Sequence, residues 1–305
     1  MSGAGAGRLG AALDHPYLLI VSAAVAWSAT AIAARLAAGH VSPMAIVTLR
    51  LLIVLVVLAL VVPRRLASEW REAATHWPYI LAMGALGYTG FSVFFYWAAY
   101  HTTAVNMGLI QGLQPALILA GSFFVYGTRF SGRQAAGVLL TLLGVATVAS
   151  RGSPDVIRTL AFNAGDLAML AASTLYAGYT VGLRSRPALG PLTLFAAMTF
   201  AAFLASLPLL GIEAWRGELV WPDAYGWALV LFIGLVPSLL SQVAYMRGVA
   251  LIGPGRAGVF LNLMPVVTVL FGYLLLGETI AWYHALGLVL VLGGIWLAER
   301  KVAHG

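Results

Sequence analysis

Ten runs of predominantly apolar residues, each long enough to cross a bilayer at roughly 20 residues per helical span, follow one another along this chain. They lie at about 17–38, 43–62, 77–98, 104–125, 133–150, 165–184, 191–212, 225–246, 257–276 and 281–298. No run sustains the alternation of period two that a transmembrane barrel requires. The pattern therefore predicts an all-α integral membrane protein with ten transmembrane helices. Charge agrees: 9% of residues are charged, against about 25% in soluble domains. The first fifteen residues are small and polar, and the first apolar run is long enough to span. It is expected to stay as an anchor rather than be cleaved as a leader. The chain has no cysteine, which excludes disulfides, thiolate metal sites and cysteine nucleophiles.

The net charge of +7 invites a nucleic-acid reading, but its distribution opposes one. With the N-terminus inside, twelve of the seventeen basic residues fall in inside segments: Arg8, Arg64, Arg65, Arg71, Arg129, Arg133, Arg184, Arg186, Arg247, Arg256, Arg300 and Lys301. Arg35, Arg151, Arg158 and Arg216 fall at outside ends, and Arg50 lies within a span. This is the positive-inside asymmetry, and it predicts that both termini are cytoplasmic. No basic stripe interleaved with aromatics is present, so no nucleic-acid partner is expected.

The chain also matches itself. At a shift of 150, Gly108 meets Gly258, Pro115 meets Pro265, Gly127 meets Gly277, Ala135 meets Ala285, Gly137 meets Gly287 and Gly144 meets Gly294. At a shift of 149, Trp27 meets Tyr176 and Arg35 meets Arg184. Two five-span units follow, residues 1–150 and 151–305. Five is odd, so the second unit enters the membrane from the opposite side. Such inverted repeats suit alternating access around a central site. Duplication that merely stabilises a membrane scaffold is the alternative.

The stretch "GVALIGPGRAGVFLNLMPV" and the following "LLLGETIAWYHALGLVLVLGGIWLA" resemble the second-repeat motif of EamA-type transporters of the drug/metabolite transporter superfamily. The matching positions are Ile252, Gly253, Arg256, Ala257, Pro265, Gly277, Glu278, His284 and Gly287. Within that superfamily the chain is most similar to bacterial aromatic amino-acid exporters. The resemblance implies a ten-span, two-repeat fold in the bacterial inner membrane and export of amino acids, drugs or other small metabolites. It also places the first, third, fourth, sixth, eighth and ninth spans around a central cavity. One departure is Thr128, which stands in the first repeat where Glu278 stands in the second. No role needing both carboxylates is expected.

Polar side chains are costly in lipid and tend to face a cavity or a neighbouring helix. Tyr88, Ser92 and Tyr96 share one helical face, and Ser238, Gln242 and Tyr245 share another in the repeat-related span. Met107, Gln111 and Gln114 precede Pro115, and Asn262 precedes Pro265. Proline frees a carbonyl one turn back, and amides offer both donors and acceptors to a zwitterion. The same amides could equally hold helices together. Trp27, Tyr176 and Tyr179 are near mid-span and would supply an aromatic wall. The candidate substrate residues are thus Trp27, Tyr88, Ser92, Met107, Gln111, Gln114, Tyr176, Tyr179, Ser238, Gln242, Tyr245 and Asn262.

Other features read as structural. The Gly108/Gly112 pair permits close helix approach. The spacing Gly137/Gly144 and Gly287/Gly294 makes smooth stripes, seating two spans against each other. Arg50 could bind a substrate carboxylate or lock the second span to a neighbour's carbonyls, and the lock is the preferred reading. His101 and His284 read as capping or solvated residues near helix ends.

Asp166, Glu213 and Glu278 lie at span ends, leaving no acid mid-span. Coupled carriers usually place a carboxylate inside the membrane, so facilitated diffusion is expected rather than proton or sodium coupling. No metal spacing, nucleophile triad, phosphate loop or Walker motif occurs, so neither a cofactor nor an ATPase subunit is expected. The partners are membrane lipid and a small-molecule substrate. An integral-membrane enzyme is the distant alternative.

Overall fold

The computed structural model describes residues 15–127, 131–153, 155, 163–252, 260 and 263–299, and among them it is helical with no strand. The helices are α1 (Pro16–Leu36), α2 (Pro43–Val61), α3 (Pro63–Thr75), α4 (Trp77–His101), α5 (Ala104–Tyr126), α6 (Gly132–Ala149), α7 (Ala164–Gly182), α8 (Pro191–Trp215), α9 (Ala224–Val249), α10 (Leu263–Leu276) and α11 (Trp282–Glu299). Seven of these, α1, α2, α4, α5, α6, α8 and α9, are long and apolar enough to cross a membrane. α10 and α11 carry shorter apolar stretches. α7 is long but dilutes its apolar surface with Asp166, Ser173, Thr174, Tyr176, Tyr179 and Thr180.

Local sequence explains the boundaries. Proline opens α1, α2, α3 and α8, where its missing N–H costs nothing. Thr103, Asn163 and Asp223 cap α5, α7 and α9 through their side chains, and Ser131 closes a capping box with Gln134. Asp223 is held below the usual carboxylate range, first by its hydrogen bond with His40 and then by the Gly226 N–H. Gly127 and Gly277 end α5 and α10 with φ of 65° and 64°, the left-handed conformation that glycine adopts without penalty. These two stops lie 150 residues apart, as the internal repeat requires.

α3 is not among the expected spans. It is a short amphipathic helix whose Leu66, Ala67 and Trp70 close an apolar groove against α2 and α8, about 480 Å³ in volume. Trp70 meets Phe200 edge-on at 5.7 Å.

The packing divides most of the helices into two groups. In the first, α1 packs on α9 and α10, and α2 packs on α9. In the second, α7 packs on α4 and α5, and α8 packs on α4. Each group draws helices from both halves of the sequence, and the 150-residue shift converts one set of contacts into the other. Three pairs are their own mirror images and join the groups: α2 with α8, α5 with α10, and α6 with α11. In the last pair, a Cβ on Gly144 would lie 2.9 Å from the Gly287 carbonyl, and one on Gly294 would lie 2.5 Å from the Gly137 carbonyl. The glycine stripes therefore seat α6 on α11. The Gly108/Gly112 pair likewise admits Thr268 of α10 and Val291 of α11.

The mirror relation fails in one place. At the end where α1 and α4 finish and α5 begins, α1 packs against α4 and α5, and α2 against α4. Among the described residues, α7 and α8 make no comparable contact with α9 at the opposite end; the counterparts of the start of α5, residues 254–259, lie outside the described residues. The first will be called the distal end, the second the terminal end.

Candidate functional site

The two helix groups face each other across α4 and α9, and both helices depart from α geometry there. Met83–Gly90 of α4 and Gly234–Leu240 of α9 are π-helical. Their positions correspond under the repeat. Pro237 removes one backbone donor from the α9 segment, and the hydroxyls of Ser238 and Ser241 donate to the carbonyls of Ile233 and Val236, each at 2.8 Å. Such segments often mark functional sites, because they turn side chains away from the regular helical face.

Each group contributes an aromatic wall. On one side the Trp27 indole N–H donates to the Pro237 carbonyl at 2.8 Å, and its ring lies 5.2 Å from Tyr245. On the other, Tyr88 and Tyr179 share a hydroxyl contact at 3.3 Å, and Tyr176 lies 5.8 Å from Tyr179 and 5.4 Å from Phe91. Gly87 makes this possible, since any Cβ there would overlap the Tyr179 ring.

Arg50, near the middle of α2, joins the two walls. Its guanidinium donates to the Ser238 hydroxyl at 2.9 Å and to the Ser92 hydroxyl, and lies 5.7 Å from the Tyr96 ring. The expected lock is present, but it acts through hydroxyls rather than carbonyls.

The remaining candidates divide. Gln111, Gln114 and Gln242 are partly exposed, and none of their side chains forms a hydrogen bond among the described residues. α5 is interrupted at Gly112–Leu113, one turn before Pro115, where the N–H groups of Gly112 and Leu113 reach back only three residues, to Leu109 and Ile110. Met107 is fully buried with Ile110 and Leu113 in the core, not on an open wall. Asn262 lies outside the described residues, as do Gly253, Arg256, Ala257, Gly258 and Thr128.

The end-of-span acids, which the linear pattern marks only as peripheral, all tie the distal end. Glu278 accepts from the N–H groups of Ala104 and Val105, both at 2.9 Å, so it caps α5 from the other half of the chain. Arg35 lies 3.7 Å from Glu278 and donates to the Ala99 carbonyl at 3.0 Å. Asp166 accepts from Thr102 at 2.5 Å and from Asn106 at 3.1 Å. His284 continues that chain. Its Nδ1 accepts from the Ala281 N–H, which leaves Nε2 as the donor to the Asn106 side-chain oxygen Oδ1 at 3.1 Å. Glu213 accepts from Ser42 and from the Met44 N–H, capping α2. His101 stacks on Trp97 at the surface. Among the described residues, no cluster of three or more His, Asp or Glu side chains could hold a metal.

A duplicated helical bundle with a polar, aromatic-walled seam closed at one end defines a multi-pass membrane transporter. The chain belongs to the EamA-like transporter family, whose model matches it twice, over residues 15–150 and 163–299. It is 25% identical to an uncharacterized transporter of Bacillus subtilis, YyaM, over 77% of this chain and 76% of that one. It is 26% identical to a probable terminal-alkyne amino-acid exporter of Streptantibioticus cattleyicolor, over 76% of each. It is 24% identical to a probable amino-acid metabolite efflux pump of Salmonella typhimurium, over 92% of each. A solved crystal structure superposes with a TM-score of 0.62 at 20% identity, covering 93% of this chain and 96% of that one; that likeness concerns fold alone. The named relatives are transporters and exporters, not enzymes, and this chain is a transporter.

Proposed function

We propose that this transporter exports amino acids, aromatic and other hydrophobic ones included, across the bacterial inner membrane. Its ten spans form two five-helix halves of inverted topology, with both termini cytoplasmic. The distal end is then periplasmic, and it is the end that the acids tie shut. The observation that carries this reading is the seam between the helix groups. Two aromatic walls, two serines and three uncommitted glutamines line elements that the repeat relates to each other. An aromatic amino acid needs such a surface, with rings for its side chain and donors and acceptors for its zwitterionic head, since a buried polar group left unpaired costs several kcal/mol. The names of the amino-acid exporters among the relatives support the same substrate class.

Asp166, Glu213 and Glu278 are engaged in the distal ties, and none faces the seam between the walls. Flux is therefore expected to follow the solute gradient. In proteoliposomes, radiolabelled phenylalanine should undergo counterflow, and an imposed pH or sodium gradient should not change its extent. Absence of amino-acid counterflow alongside flux of other small metabolites would reject the substrate class. Uphill accumulation driven by protons would reject the uncoupled mechanism.

A further inference from the structure

We propose that Arg50 is the carboxylate anchor of the transport site, so that the protein selects solutes bearing a free carboxylate. This inference rests on the amino-acid reading above and names the group by which that substrate is held.

The guanidinium sits at mid-helix in a span, is always charged, and presents five N–H donors in a planar fork. Among the described residues, no carboxylate lies within ion-pair distance of it, since the distal acids have other partners. Among those residues its hydrogen-bond acceptors are Ser92 and Ser238. Those hydroxyls spend their own protons on the carbonyls of Tyr88 and Ile233, so each turns a lone pair to the arginine and has no donor left for a solute. Two of the five N–H groups are thereby engaged, and the buried Nε has no acceptor.

A charge within the hydrocarbon span is expensive, and such residues mark substrate paths or find an opposite charge. Here the structure supplies position without neutralisation. α2 carries the arginine, while α4 and α9, one from each helix group, orient it. Arg50 as a residue is also partly exposed, although its Nε is buried. The ligand that complements a planar fork with spare donors is a carboxylate, which accepts two parallel hydrogen bonds. The aromatic side chain would then lie toward Tyr88, Tyr176 and Tyr179.

The test is ligand-induced thermal stabilisation of the purified full-length protein, which does not depend on flux. The probes are phenylalanine, phenylalaninamide and 3-phenylpropionate, each with wild type, Arg50→Lys and Arg50→Gln. Wild type should be stabilised by the two carboxylates and at least tenfold less effectively by the amide. Arg50→Gln should lose the carboxylate response by about tenfold or more, as expected for charge-assisted hydrogen bonds, with Arg50→Lys intermediate. Stabilisation by 3-phenylpropionate without phenylalanine would uphold the anchor and reject the amino-acid reading. Equal stabilisation of wild type by phenylalanine and its amide would reject the anchor and leave the reading standing. Should Arg50→Gln fail to fold, the three-probe comparison on wild type decides alone. No response to any probe would reject both.

Discussion

Gly294→Ala is expected to lower the thermal midpoint of the purified protein sharply, while Gly293→Ala, one residue earlier, should leave it unchanged or raise it. A methyl on Gly294 would meet the Thr141 side chain and lie 2.5 Å from the Gly137 carbonyl. Neither the carbonyl nor the helix behind it can move without parting α6 from α11. A methyl on Gly293 would lie 3.5 Å from Leu140, an ordinary contact. Removing a helical glycine there gains up to about 1 kcal/mol. Overpacking typically costs about 1–3 kcal/mol, and Gly294 should reach the upper end because backbone, not side chain, is in the way. Association in lipid depends on this close packing, since lipid tails remove the hydrophobic drive between helices. Melting curves of the two variants in one detergent provide the comparison. Equal midpoints would mean that the glycine seam is not what holds α6 to α11.

The second large effect is expected at the distal end. Glu278→Gln should favour opening there. The carboxylate accepts two hydrogen bonds from the first turn of α5, where the helix dipole adds to the attraction. Hydrogen bonds to a charged group contribute about 1.5–3 kcal/mol, whereas the 3.7 Å pairing with Arg35, a third of whose side chain is exposed, adds little. Glutamine keeps one acceptor and loses the charge. A loss of about 2 kcal/mol would shift an open-to-closed ratio roughly thirtyfold. The matching position in the first repeat is Thr128, so this carboxylate has no repeat-related counterpart at the terminal end. A cysteine placed at Val105, fully buried in the closed form, should become reactive to a membrane-impermeant thiol reagent in Glu278→Gln. Protection equal to that of the parent would show that Glu278 does not hold the distal end shut.

Seven of the ten expected spans, the seating of α6 on α11 and the close approach at Gly108 and Gly112 are written in the order of apolar residues and glycines, because packing of that kind repeats with the helix. α3 is hidden by its charges. Arg64, Arg71 and Glu72 suggest a loop, yet Leu66, Ala67, Trp70 and Ala73 recur on one helical face. The π segments break the 3.6 period on which face assignments rest. Gly84, Gly87, Gly90, Gly234 and Pro237 are their linear hints. Met107 shares a face with Gln111 in projection, but the packing of α5 puts it in the core. Arg50 is misread as to its acceptors because a long side chain crosses between helices far apart in sequence. For the same reason the spacing of Asp166, Asn106 and His284 does not announce their hydrogen-bonded chain.

Alternating access is tested most directly by two distances between the helix groups, one at each end. The chain has no cysteine, so spin labels can be placed in pairs without other changes. Ala38 and His101 report the distal end, Ala188 and Leu251 the terminal end, and all four are exposed. In nanodiscs, electron–electron resonance should give two populations at each pair. Adding phenylalanine should redistribute them reciprocally, the distal distance lengthening as the terminal distance shortens. Distances that remain single, or that lengthen and shorten together, would contradict a site exposed to one side at a time.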